Sequence, residues 1–281
     1  MMCAYGEFRW GFNKDTTDTR MVHYGMRDIL EKYLLRRWTL EDLEQAGAFY
    51  ATHCALGTHL EWPKDLFTRV VTHYGGYFPL KLEVLKEGTC TNARVPVYQI
   101  TTKDEFAPLC TFFETVLTHV WYASTVATLS RRARDVIEDA FATGAEGGVD
   151  SPLLPSRLHD FGMRGCTTGE QSIIGGCAHL LNFEGTDTMP AAFHAQFHLN
   201  GGRPVGFSIP ASVRSSFPCR CALSQPSRAS SRMLCCDIRH KRLDDALRLF
   251  YAGTVPVQGM LERAHAVPLT RWDLSSISIV S

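Results

Sequence analysis

The chain's 281 residues are 45% hydrophobic, and 29 Lys and Arg balance 29 Asp and Glu; the length fits one large domain or two ordinary ones, and no overall field selects nucleic acid or an anionic membrane. No apolar run approaches the roughly 18 residues of a membrane span, and Glu7 and Arg9 fall where a secretory signal needs an unbroken apolar stretch, so a cytoplasmic location is expected. In that setting the scattered cysteines, Cys3, Cys54, Cys90, Cys110, Cys166 and Cys177, read as small buried hydrophobes or free thiols and not as a disulfide framework.

Weak alternation over Ala4 to Trp10 predicts an edge strand, followed by a polar connector, Asn13 to Arg20. Apolar residues at helical spacing (Met26, Ile29, Leu30, Tyr33, Leu34) predict a helix over Met21 to Arg36. Thr39, with Glu41 and Asp42 behind it, predicts the cap and acidic first turn of a second helix reaching about Cys54. A third, Trp62 to Tyr74, ends at Gly75-Gly76. Alternation over Phe78 to Leu85 and again over Val95 to Thr101 predicts two strands separated by a polar turn, which makes residues 1–108 an N-terminal α+β domain.

Leu109 to Phe141 has no Pro or Gly and passes from apolar to charged, so it predicts a long helix with a buried front half and a break near Ser124. After the Gly- and Pro-rich linker Thr143 to Pro155, short strand-like pieces (Leu158 to Met163, Leu181 to Phe183, Val205 to Pro210) alternate with helical ones (Glu170 to Leu180, Met189 to Leu199). That rhythm predicts the first part of a β/α barrel or sheet, so 109–212 reads as a partial catalytic domain including the long helix, in an α/β chain.

From Val213 to Arg242 seven Lys or Arg face one acidic residue, Asp237, without periodicity, and 213–281 reads as a divergent, disordered tail. Cys219, Cys221, Cys235 and Cys236 fall in it; their spacing departs from the paired C-x2-C of zinc sites, and metal analysis would test a site there.

Three segments place polar residues just past predicted strands, where barrels keep catalytic groups: His159 to Gly165, Asn182 to Thr188, and Gly206 to Ser212. The first sets the Phe161 ring and the Arg164 guanidinium between glycines, which suits a flat ring next to an anion; the plain alternative is a helix cap and a surface arginine. The second presents the Asp187 carboxylate to a ligand amide, or makes it the cap of the helix starting at Met189. His119, Trp121, Tyr122 and His179 read as core or interface residues.

Taken together, THVWYASTVATLSR (118–131), LHDFGMRG (158–165), AHLLNFEGTDT (178–188) and GFSIPAS (206–212) resemble the nicotinamide phosphoribosyltransferase family, with fainter similarity back to about Ala4. The resemblance implies a type II phosphoribosyltransferase barrel and a homodimer with active sites shared across the interface. It implies nicotinamide and phosphoribosyl pyrophosphate as substrates, with Mg2+ balancing the pyrophosphate charge. It also implies that Phe161 stacks on the nicotinamide ring, that Asp187 accepts from its carboxamide, and that Arg164 lines the pocket toward the ribose phosphate. Arg9 would reach the phosphate of the partner subunit's ligand. A carboxylate at 187 favours an amide over an acid, because nicotinate would bring two carboxylates together.

The family continues after Pro-Ala-Ser with Glu-His, the His being phosphorylated when ATP drives the reaction; Val213-Arg214 stands here, so ATP use is not expected. Neither the family's Arg-Pro-Asp-Ser-Gly segment, its glycine-rich phosphate loop nor its N-terminal Asp-Ser-Tyr-Lys is matched. A catalytically incomplete, aggregation-prone partial barrel is therefore the expectation. The rivals are a non-catalytic nicotinamide-binding or interaction protein, whose basic tail meets an acidic partner, and a nicotinate-using transferase. The loss of similarity at Val213 predicts an alternative exon, a retained intron or a frameshift; sequencing of mature message across the Ser212 codon checks it, and the same reading continuing there would refute it.

Overall fold

In β1 (Met2–Phe8) the alternate residues Ala4, Gly6 and Phe8 are buried, as a strand with one face on a core requires. The structure, a computed structural model, describes residues 1–53, 61–144, 147–208 and the backbone of 277–280, in a mixed α/β arrangement. It divides into two compact units, Met1–Arg131 with Pro256–Ser281, and Arg132–Val255. The division falls inside the long helix and not at residue 108, so the helix's front half goes with the N-terminal module. The Cys219, Cys221, Cys235, Cys236 cluster and all of the expected tail except Ile277–Val280 lie outside the described residues.

The first unit is built on an antiparallel sheet of order β3-β5-β1-β8, where β3 is Leu80–Val84, β5 is Pro96–Thr102 and β8 is Ile277–Val280. Both alternating stretches form strands, and β3 pairs β5 directly, Leu82 opposite Ile100. The expected edge strand is corrected: β1 is paired on both sides, by β5 and by β8. A two-stranded ribbon, β2 (Arg20–Val22) with β4 (Cys90–Asn92), was not predicted.

The helices pack apolar faces on this sheet. Helix α1 (Met26–Ile29) continues as a wider turn over Leu30–Leu34, and it starts at Met26 because Met21 and Val22 are used in β2. Helix α2 (Leu40–Thr52) begins at the predicted Thr39 cap, whose hydroxyl accepts from the Asp42 amide while the Asp42 carboxylate accepts from the Thr39 amide. Helix α3 (Lys64–His73) buries Leu66, Phe67 and Val70 and is closed by Gly75 and Gly76 at φ +64° and +89°, where a side chain would be strained. Phe67 lies between Trp38 and Trp62, with ring centroids 5.3 and 4.7 Å away.

The stretch from 108 is three helices and not one: α4 (Pro108–Phe112), α5 (Glu114–Thr118) and α6 (Val120–Gly144). The bends fall at Phe113 and His119, and α6 runs unbroken through Ser124. Ser124 and Thr128 instead bond a neighbouring segment. The Thr128 hydroxyl accepts from the Val22 amide at 2.8 Å, and the Ser124 hydroxyl accepts from the Tyr24 amide and donates to the Tyr24 carbonyl, both at 3.0 Å.

Between these residues the His23 backbone bonds Thr89 and Gly88. Its imidazole is wholly buried, with neither ring nitrogen hydrogen-bonded among the described residues. Burial pushes its pKa from 6.5 down to about 4.

In the second unit β6 (His159–Asp160) and β7 (Gly185–Thr186) are parallel, and Phe207 bridges Gly185 on the other side, also parallel. Helix α7 (Gly169–His179) connects the first two; α8 (Met189–His194), continued by a wider turn over Ala195–Leu199, follows β7. The strand expected over Leu181–Phe183 forms later, at Gly185, because Leu181 and Asn182 are spent closing α7: their amides bond the Ala178 and His179 carbonyls. On the back half of α6, Arg134 pairs with Glu138, donates to the Asn182 carbonyl and lies 5.7 Å over the Phe183 ring. His179 is buried against Phe183, as expected of a packed histidine, while His119 is exposed and stands edge-on to Tyr33.

A folded-state pKa of about 4 against 6.5 unfolded means that the unfolded chain alone takes up a proton at His23 in that window. Stability is present in full above pH 6.5 and falls by about 3 kcal/mol as pH drops toward 4. Thermal melts at pH 7 and 4.5 should therefore show a smaller acid-side loss for His23→Leu than for the parent chain.

Candidate functional site

Each strand segment of the second unit is followed closely by one side chain of the candidate site. After β6, the Asp160 carboxylate accepts from the Gly162 amide at 2.7 Å, closing a turn that swings Phe161 outward, 40% exposed. After β7, the Asp187 amide donates to the Asp160 carbonyl at 2.8 Å, so the chain stays alongside β6 one residue past the pairing. After the Phe207 bridge comes Ser208.

These three ends converge. The Asp187 carboxylate receives the Ser208 hydroxyl on one oxygen and the His159 Nε2, at 3.0 Å, on the other. The His159 ring in turn lies against Phe161, with centroids 4.6 Å apart and planes inclined at 42°. Phe161 and Asp187 therefore belong to one wall, joined through His159.

That wall is polar where Asp187 reaches it and aromatic where Phe161 does. The Ser208 hydrogen bond, and then the hydrogen bond and charge of His159, hold the Asp187 carboxyl below the usual carboxylate range against the opposing effect of burial. Asp187 is a carboxylate at neutral pH and accepts from both neighbours. Asp187 does not serve the alternative role of a cap for α8: the cap position is Thr188, and no side-chain capping bond is made there among the described residues.

His159 is 8% exposed at its side chain and Asp187 28%. The ring lies over Gly185, where an added Cβ would meet Nδ1 at 2.7 Å; only glycine leaves space for it. Below, α7 carries the buried His179, whose Nε2 donates to the Gly185 carbonyl at 3.0 Å and whose pKa burial pushes down.

Two other expected residues make none of the contacts described for this cluster. Arg164 is exposed on the short turn Gly162–Gly165, three residues beyond Phe161, and makes no ion pair among the described residues. Arg9 is exposed just past β1, in the other unit. Its carbonyl accepts from Arg94 Nε at 2.8 Å, and the Arg94 guanidinium covers Trp10 at 5.5 Å.

His159 and Ser208 were not predicted as site residues. A signal for His159 existed, because it lies two residues before Phe161 and alternate residues of an extended segment share a face. Among the described residues no three His, Cys, Asp or Glu side chains cluster as metal ligands, and no helix is long and apolar enough to cross a membrane.

Parallel strands linked by helices, with an aromatic ring, a carboxylate and a hydroxyl at their C-terminal ends, make a β/α unit. No family model matches the chain. Curated relatives do: the nicotinamide phosphoribosyltransferase of Xanthomonas campestris pv. campestris is 32% identical over 216 residues, 75% of this chain and 43% of the relative. That of Acinetobacter baylyi is 30% identical over 213 residues, 70% of this chain and 40% of the relative. Over the matched part the chain is similar to nicotinamide phosphoribosyltransferases, and it spans less than half the length of these relatives. Among solved structures, human nicotinic acid phosphoribosyltransferase is similar at 18% identity and a TM-score of 0.48, over 74% of this chain and 34% of that one.

Gly185→Ala should cost about 1–3 kcal/mol in urea unfolding, because the new methyl displaces the His159 ring. Gly169→Ala is the control, at a helical position with open space around it; it should be neutral or mildly stabilising.

Proposed function

We propose that the chain carries the base-recognition wall of a nicotinamide phosphoribosyltransferase, a pentosyltransferase of NAD biosynthesis that joins nicotinamide to phosphoribosyl pyrophosphate. The observation that carries this reading is the convergence of the Phe161 ring and the Asp187 carboxylate through His159. An aromatic face takes a flat heteroaromatic ring, and an ionised carboxylate takes the amide N–H at its edge. Homologues named for nicotinamide support the choice of base.

The three parallel strand segments, His159–Asp160, Gly185–Thr186 and Phe207, would be the opening of the type II barrel. Arg164, exposed on the turn beyond Phe161, would face the ribose phosphate as a guanidinium suited to an anion. Arg9 would serve the partner subunit's ligand in a cytoplasmic homodimer.

In the reaction the pyridine nitrogen bonds to C1 of the ribose as the C1–O bond to pyrophosphate breaks, so positive charge develops at the sugar and the ring. Bound to the phosphoribosyl pyrophosphate co-substrate, Mg2+ would supply charge balance at the leaving pyrophosphate. The protein's own part at this wall is to hold the ring flat against Phe161 and fix its rotation through Asp187. With Val213-Arg214 in place of Glu-His, no ATP-driven step is assigned.

Calorimetric titration tests the reading. Nicotinamide should bind saturably and more tightly than nicotinic acid, and Asp187→Ala should weaken nicotinamide about tenfold, or about 1.4 kcal/mol. Absence of saturable heat with nicotinamide would refute it. Nicotinamide mononucleotide formation from nicotinamide, phosphoribosyl pyrophosphate and Mg2+ should be low for the 281-residue chain.

A further inference from the structure

His159 touches both halves of the wall but has no role in the reading above. Its ring meets Asp187 at Nε2, Phe161 across its face, and the Gly185 backbone beneath Nδ1. Because Asp187 is ionised and can only accept, Nε2 must carry the proton of that hydrogen bond. Nδ1 is buried and has no hydrogen-bond partner among the described residues, so the ring is used as a one-sided donor.

We propose that His159 is the positioning residue of the base pocket, one that aims the Asp187 carboxylate as a donor and braces the Phe161 ring as a surface, and so helps the site prefer an amide-bearing ring over its carboxylic acid. Its two functions sit on different parts of the imidazole. The Nε2–H bond restricts the Asp187 carboxylate to one orientation, and with the Ser208 hydroxyl it keeps the group ionised. The ring face, tilted against Phe161, limits how far that side chain swings into solvent on its exposed side. The nicotinamide reading supplies the ligand for this proposal; the hydrogen bond and its tautomer stand without it.

Substitutions divide the two parts. His159→Phe keeps a ring against Phe161 and removes the donor; His159→Gln keeps an N–H donor and removes the ring. Calorimetry with nicotinamide and nicotinic acid should show the amide-over-acid preference falling about tenfold in His159→Phe. In His159→Gln the preference should persist while both bases weaken. A purely structural histidine would lower both bases equally in both variants, and that result overturns the proposal.

Nitrogen-15 spectra of the imidazoles of the unsubstituted chain at neutral pH provide an independent arm. His159 should be the Nε2–H tautomer, and Asp187→Ala should remove that bias. An Nδ1–H ring, or a tautomer indifferent to Asp187→Ala, overturns the proposal even if nicotinamide does bind. If the chain takes up neither base, the functional reading fails, while the spectra still decide the hydrogen bond.

Discussion

The Asp187 carboxylate, bonded on one oxygen by Ser208 and on the other by His159, ties together the three strand ends of the second unit. Register makes this arrangement available. His159 pairs with Gly185 across the parallel ladder, and Phe161 and Asp187 lie two residues beyond that pair on their respective segments. Two residues is the period of an extended chain, so both side chains return to the face of their pair. A slip of one residue would put the carboxylate on the opposite face from the ring and dissolve the wall. The absence of a side chain at Gly185 is the other half of the constraint, since the His159 ring occupies that volume.

Local physics was readable where it is short-range. Thr39 and the Asp42 three residues on make a reciprocal cap whatever the rest of the chain does, and Gly75-Gly76 ends α3 for conformational reasons alone. The alternation over 80–84 and 96–102 likewise announced two strands: Leu80, Leu82 and Val84 are less exposed than Lys81 and Glu83, and β5 buries Tyr98, Ile100 and Thr102 on one face. What could not be read depended on partners distant in sequence. The bends at Phe113 and His119 have no Pro or Gly to mark them, and the pairing on both sides of β1 needs residues more than 250 positions away.

The site follows the same division. Phe161 and Asp187 were named through the resemblance, each with a plain local alternative, and geometry removed the capping alternative for Asp187 by giving both its oxygens to other partners. Arg164 fits the plain alternative of an exposed arginine as well as it fits a ligand contact. His159 and Ser208 lay inside recognised motifs without a role, because a histidine in a strand and a serine after one acquire meaning only when the parallel register brings them to the same carboxylate.

Lone-pair geometry then limits what the wall can accept. A carboxylate has about four acceptor positions, and His159 and Ser208 use two, leaving positions that only a donor can fill. A carboxamide presents two N–H donors on the edge of a flat ring, and in the proposed pose one of them would meet Asp187 while the ring lies on Phe161. A carboxylic acid, ionised at neutral pH, presents only acceptors, so the same approach brings like charges together and one group would have to take up a proton. The donors from His159 and Ser208 stabilise the ionised form of Asp187, which makes that protonation harder there and throws the cost onto the ligand. On the proposed reading, discrimination between the two bases would be set by two protein donors that need not touch the ligand, and it would persist only while the parallel register keeps them on the carboxylate.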